Sequence, residues 1–263
     1  MMQPSTASGS AARGNKLGSY SRWTSLAFVL FAAWVPAVAA TNGSIQSPQA
    51  ATRPAIALNA QSQSILIESQ AMWRGESFAA LTASWWQWLE SIPYGVGPSG
   101  DPSGANCGIN QDGPVWFLAA PVGGIFRSAC TVPAGKAILS PLFVVIDDYP
   151  CPDPTFGPAP GQSLEAFLQA DISQFVDDPH ASTMATLDNE ALHVRHVKSS
   201  LFAFTAAASN VKGDSCITGS PQLGVSDGYF VFIDPLPRGQ HILHLRSVVF
   251  GTLTDVTITL TVK

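Results

Sequence analysis

Asp255-Val-Thr-Ile-Thr-Leu-Thr-Val262 sets Val256, Ile258, Leu260 and Val262 against Thr257, Thr259 and Thr261. Apolar side chains at every second position put one face of an extended chain into a core and leave the other toward solvent. That is the period-two signature of a half-buried β-strand. Two more β-rich runs precede it, Gly228-Tyr-Phe-Val-Phe-Ile233 and residues 240–250. Working upstream, residues 201–207, 182–187 and 191–197 read as strands, the last two flanking Asp188-Asn189 as a hairpin tip. Residues 115–119, 125–132 and 137–146 read the same way, with Pro133-Ala-Gly135 as a type II turn.

Two segments carry helical spacing instead. Over residues 73–91, Phe78, Leu81, Trp85, Trp88, Leu89 and Ile92 recur at three- and four-residue steps, and Pro93 stops the run. Ser163 caps a second helix with Leu164, Phe167, Leu168, Ile172 and Phe175 as its apolar stripe and Glu165 near its start. Many short strands with Pro/Gly turns and two helices predict a mainly β, single-domain β-sandwich, a jelly roll being one topology that fits.

The N-terminal quarter reads differently. Arg13, Lys16 and Arg22 precede the apolar run Leu26-Ala-Phe-Val-Leu-Phe-Ala-Ala-Trp-Val-Pro-Ala-Val38. Its length suits a signal-peptide core rather than a membrane span, which needs ~20 residues. Ala37-Val38-Ala39 supplies the small-x-small cleavage pattern, so residues 1–39 are expected to leave as a signal peptide. Residues 40–64, rich in Ala, Gln, Ser and Thr without periodicity, are expected as a disordered spacer, and residues 65–263 as the domain.

Cysteine usage points the same way. Cys107, Cys130, Cys151 and Cys216 all follow the leader, and an even number in an exported chain reads as two disulfides. Three pairings are open. Cys107–Cys130 with Cys151–Cys216 is favoured because the first pair brackets a hairpin. None of the four has the two-to-four-residue spacing of a zinc pair. Only 12% of the residues are charged, the net charge is −5, and the 13 Lys and Arg are scattered. This argues against nucleic acid as a partner, because phosphate binding needs clustered bases.

Four segments in order carry a resemblance: Trp85-Trp-Gln-Trp-Leu-Glu-Ser-Ile-Pro93, Gly113-Pro-Val-Trp-Phe-Leu-Ala119, Cys130-Thr-Val-Pro-Ala-Gly-Lys-Ala137, and Asp227-Gly-Tyr-Phe-Val-Phe with Leu236-Pro-Arg-Gly-Gln-His-Ile-Leu-His244. Together they resemble a family of uncharacterised bacterial signal-peptide-bearing secreted proteins. The resemblance implies export and a single domain, and brings no activity, cofactor or catalytic residue.

Several constellations bear on chemistry. Gly224-Val-Ser-Asp-Gly228 has the letter pattern of a nucleophile elbow, with Asp234 and His241 or His244 downstream. Strand-like Tyr229-Phe-Val-Phe-Ile follows where a helix would be needed, so a strand-start turn is the expectation. Gly213-Asp-Ser215 runs into Cys216 and reads as a disulfide loop. His193-x-x-His196 and His241-x-x-His244 lie on strand-like segments, where i and i+3 point to opposite faces. A metal would need one histidine from each strand plus a carboxylate, with His241, His244 and Asp227 as the candidate set. Asp147-Asp148 reads as a strand-end turn, an acid/base pair or a calcium site being the alternatives.

Exposed aromatic rings can stack on sugars. Trp86, roughly 100° around the first helix from Trp85, faces outward as a contact point with Trp73 and Trp116 if the helix packs only its Phe78/Leu81/Trp85/Trp88 stripe, and the alternative has Trp86 covering the sheet edge or packed under the Gly/Pro loop. The expectation is therefore an exported, non-catalytic binding or surface-associated protein with no cofactor. Its guessed partner is a polysaccharide or other cell-envelope component. The alternative is a secreted hydrolase or metal-dependent enzyme using the His and Asp residues of the C-terminal strands.

Overall fold

The computed structural model of the protein describes residues 53–263, so the leader reading lies outside the described residues. In chain order the elements are α1 (Arg53–Gln70), β1 (Met72–Trp73), β2 (Glu76–Ser77), α2 (Phe78–Ser91), β3 (Val115–Phe117), β4 (Gly124–Val132) and β5 (Ala137–Tyr149). There follow α3 (Leu164–Val176), β6 (Ser182–Leu187), β7 (Glu190–Ala191), β8 (Arg195–Lys198), β9 (Phe202–Thr205), β10 (Pro221–Ile233), β11 (Gly239–Val249) and β12 (Thr252–Val262).

The strands form a β-sandwich of two five-stranded sheets. One runs β3-β5-β10-β8, with β9 also paired to β10, and the other runs β4-β12-β11-β6-β7. The alternation in β12 does what its sequence predicts. Val256, Ile258 and Leu260 turn inward with Leu243 and Leu245 of β11 and meet Ile138, Val231 and Ile233 of the first sheet. Each such side chain, fully buried, contributes ~1.5–3 kcal/mol. Two pairings, β3 with β5 and β4 with β12, are parallel.

Helix α2 covers the outer face of the first sheet, packing Phe78, Leu81, Trp85 and Trp88 on Leu139, Val197 and Phe230. Helix α3 closes one end through Leu168, Ile172 and Val176 against Phe143, Val225 and Val249. Its cap is the expected one, with Ser163 Oγ accepting from the Ala166 N–H at 3.2 Å. Strands β5 and β10 approach so closely that a Cβ on Gly228 would lie 2.4 Å from the Phe143 carbonyl oxygen. Their register slips next to that contact, between Tyr229 and Phe230.

Several sequence expectations change. The helix expected over residues 73–91 begins at Phe78. Trp73 sits on β1, because Arg74 and Gly75 (φ 49° and 91°) turn the chain back and Ser77 caps α2. Residues 53–64 of the expected spacer are helical as part of α1. The C-terminal end of α1 is anchored by buried Ile65 and by Ser69 Oγ, which accepts from the Lys198 N–H. Gly224 to Gly228 lie inside β10 rather than in a turn. Asp147 and Asp148 lie inside β5, on opposite faces, not in a strand-end turn. His193 falls between β7 and β8, where the chain crosses from one sheet to the other.

Both favoured disulfides are present, Cys107–Cys130 and Cys151–Cys216. The first does not bracket a hairpin, since β3 and β4 belong to different sheets. It ties the loop before β3 to β4 across the sandwich. Such bonds are compatible with an oxidising, extracytoplasmic compartment. No helix among the described residues is long and apolar enough to cross a membrane.

Candidate functional site

The three tryptophans do not form an open aromatic strip. Trp86 is 8% exposed, donates its indole N–H to Ser226 Oγ at 2.9 Å and stands edge-on to Trp85 at 4.9 Å. Of the two readings of Trp86 the packed one holds, because α2 is covered on both flanks of its apolar stripe. Its solvent side runs through Ala80, Gln87 and Ser91. Trp73 is half-buried on Phe232 at 5.0 Å, with its N–H donated to Asp234 Oδ1 at 3.2 Å. Trp116 is buried in the core between the sheets.

His241, His244 and Asp227 do not converge. His241 presents Nδ1 to Asp188 Oδ2 at 2.7 Å and Nε2 to the Pro237 carbonyl at 3.0 Å. Both nitrogens face acceptors, so the Asp188 bond, aided by the Pro237 carbonyl, raises the pKa of His241. The same bond lowers that of Asp188. His244 turns to the other face and meets Asp255 Oδ1 at 2.9 Å. Asp227 lies in the opposite sheet, fully buried, against His196 Nε2 at 2.7 Å and Lys198 Nζ at 3.0 Å.

A different triad of metal-ligand types assembles there, Asp177, His196 and Asp227, with ligand atoms within 4.8 Å of one another. Lys198 Nζ stands 3.0 Å from Asp227 and 3.3 Å from Asp177. Its ammonium thus supplies the positive charge between the carboxylates. Burial lowers the pKa of Lys198, but Asp227 and Asp177 outweigh it and hold the group protonated. This cluster was partly readable, since His196 and Lys198 alternate on one strand and share a face. Asp177, at the end of α3, gave no such sign.

A concavity opens elsewhere, beside the second half of β5, and holds about 800 Å³. Phe143, Val144, Val145, Ile146 and Asp147, consecutive residues of β5, form its floor. One wall comes from the end of α2 and the loop after it, with Trp86, Glu90 and Tyr94. The other comes from α3 and the β11–β12 turn, with Asp171, Phe175 and Phe250. The Cys151–Cys216 disulfide and Asp214 close one end. Tyr94 (40% exposed), Val122 (48%), Phe175 (37%) and Phe250 (56%) stand at its rim, large apolar side chains left in contact with solvent. Phe175, expected in the packed stripe of α3, instead points here.

Acids stand on both walls of the cleft and at its closed end, Glu90, Asp171 and Asp214. Burial raises the pKa of Glu90, which also feels Asp214, although Asn210 Nδ2 donates to its Oε2 at 2.8 Å. Just behind the cleft, Asp148 is pushed up to about 8, first by burial and then by the charges of Asp214, Asp147 and Glu90. Gln222 Nε2 donates to its Oδ1 at 3.0 Å. Carboxyls this perturbed beside a concavity mark a functional region on physical grounds. Sequence reasoning missed the cleft because its parts come from six separate stretches of chain, and the residues singled out among them, such as Trp86, Asp147 and Gly213-Asp-Ser215, carried no local sign that they meet.

The serine motifs carry no nucleophile geometry. Ser226 is 1% exposed and inside a strand, while Gly213-Asp-Ser215 leads into the Cys151–Cys216 bond as expected. No family model, curated protein or solved structure matches the chain.

Proposed function

We propose that the protein is an exported binding protein that takes a cell-envelope component into the cleft beside β5. The observation that carries this reading is the cleft itself, a concavity of about 800 Å³ whose rim keeps Tyr94, Val122, Phe175 and Phe250 in solvent. Open apolar side chains around a few convergent polar groups are what a ligand pocket requires. Export rests on the leader-like run at Leu26 to Val38 and on the two disulfides. It agrees with the secreted family that the motifs resemble. A polysaccharide is one class of envelope ligand, but Trp73, Trp86 and Trp116 offer it no stacking strip. The hydrolase reading has no converging set of side chains around His241, His244 and Asp227.

Gly100 lines the cleft, and a Cβ there meets nothing within 4 Å. Gly100→Trp is therefore expected to fill the cleft without disturbing the fold. Purified protein titrated with a panel of soluble polysaccharides, peptidoglycan fragments and peptides should bind at least one class, with Tyr94 and Trp86 perturbed in NMR spectra. Gly100→Trp should lower that affinity at least tenfold at unchanged melting temperature. Binding that ignores Gly100→Trp would place the ligand site elsewhere.

A further inference from the structure

Strand β5 is paired along one side by β10, from Ile138 opposite Ile233 to Tyr149 opposite Leu223. On its other side β3 covers only Ala137, Ile138 and Leu139. Beyond that point no strand among the described residues pairs with β5, and the uncovered edge is the floor of the cleft. An uncovered strand edge presents a row of backbone N–H and C=O groups, and proteins normally pair, twist or charge such edges to keep other chains off. Here the edge is left open at the bottom of a groove. Pro141, at its start, is a residue that sheets admit at edges. Resting on the binding reading of this same cleft, we propose that residues 143–146 take an extended polypeptide with basic side chains as an added strand.

The dimensions suit a chain. A narrower cavity of about 150 Å³ continues the cleft past Pro141 and Leu142 and shares Trp86, Leu89 and Val122 with it. The combined floor runs from residue 141 to residue 147, about 20 Å at the rise of an extended strand, room for six or seven ligand residues. Charge sets the sign of the ligand. Glu90, Asp171 and Asp214 line the walls, and no Lys, Arg or His is among the described lining residues. An added strand points alternate side chains to opposite walls, and each wall pairs an acid with an apolar rim residue, Glu90 with Tyr94 and Asp171 with Phe250, so a chain with basic residues on one face and apolar ones on the other finds both kinds of partner whichever way it lies. A polysaccharide has no amide ladder to offer the edge, which is why a polypeptide is favoured.

The probe is a labelled, end-blocked octapeptide of alternating lysine and valine, titrated at low salt into the full disulfide-bonded protein. Its glutamate–valine counterpart, a version N-methylated at every residue and a soluble oligosaccharide serve as comparisons. The lysine peptide should bind at least tenfold more tightly than either altered peptide, and its affinity should fall with salt. The double variant Glu90→Gln/Asp214→Asn should weaken it a further several-fold. Hydrogen exchange should show the edge-facing amides, every second one among residues 143–146, slowed by the lysine peptide alone. Equal binding of the glutamate or N-methylated peptide, or unprotected edge amides, would overturn the added strand. Oligosaccharide binding that Gly100→Trp abolishes, with no peptide bound, would overturn it while leaving the cleft as a binding site. Failure of every probe, with Gly100→Trp silent throughout, would overturn both.

Discussion

Asp148 shows how a residue's surroundings can override its type. Its carboxyl is 3% exposed, accepts from Gln222 and is ringed by Asp214, Asp147 and Glu90, so its pKa rises from 3.8 to about 8. The folded state therefore keeps a proton that the unfolded chain gives up between those two values. A raised folded-state pKa favours the fold fully below about pH 4, and that contribution is lost as pH climbs through 8. Wild-type stability should fall steadily from pH 5 to pH 9. Asp148→Asn keeps an oxygen for Gln222 and a hydrogen where the protonated acid has one, with no proton to lose. Thermal melts should show a flatter profile for the variant and a higher melting temperature than wild type at pH 9. Parallel profiles would mean that Asp148 is ionised in the fold. The sequence singled out Asp147-Asp148 but placed the pair in a turn, because nothing local says that Glu90 and Asp214 lie beside it. The outward alternative for Trp86 failed for a related reason. Helical spacing gives the angle of a side chain around its own axis, not how far the neighbouring elements wrap around that axis.

Among the elements, the strands were the most legible. Period-two alternation found β12, β-rich runs between turn residues found β11 and β6, and Asp188-Asn189 forms the expected hairpin tip, with φ values of 52° and 71°. The β11–β12 turn was not legible. Phe250 and Gly251 sit at its tip with φ of 46° and 75°, the left-handed pair of a type I′ turn. Asn-Gly is the preferred pair there, and a bulky aromatic residue in that conformation stores strain of order 1 kcal/mol or more. The fold tolerates the strain and holds the ring at the rim of the cleft, 56% exposed. Phe250→Asn should relieve the turn and raise stability by ~0.5–1 kcal/mol, the Phe250 N–H keeping its bond to Asp178 Oδ2. The same change should weaken the lysine–valine peptide several-fold. Urea unfolding and peptide titration of this one variant test the trade directly. A variant that is less stable, or equally tight for ligand, would make the ring structural.

At the scale of the whole molecule, composition and turn spacing gave a sandwich, but strand order was beyond reach. The parallel pairing of β4 with β12 joins residues more than a hundred positions apart, and no local pattern encodes such a partner. The disulfides were legible as a pair of bonds, and the two have different structural consequences. Cys107–Cys130 closes a separation of 23 residues away from the cleft, while Cys151–Cys216 closes 65 and forms one end of it. In the chain-entropy account, a debated one, these loops correspond to about 3 and about 4 kcal/mol. Stability alone would thus barely separate Cys107→Ala/Cys130→Ala from Cys151→Ala/Cys216→Ala. Ligand affinity should separate them clearly. Cys216 and Asp214 sit on the same short segment, where Asp214 Oδ1 accepts from the Cys216 N–H at 2.8 Å. Removing the second bond frees that segment and the carboxylate it carries, whereas removing the first leaves the cleft walls tied. Peptide titration at a temperature where both variants remain folded should therefore find near wild-type affinity without Cys107–Cys130 and at least a several-fold loss without Cys151–Cys216. Equal losses in the two would mean that the cleft depends on the sandwich as a whole rather than on the bond that closes its end.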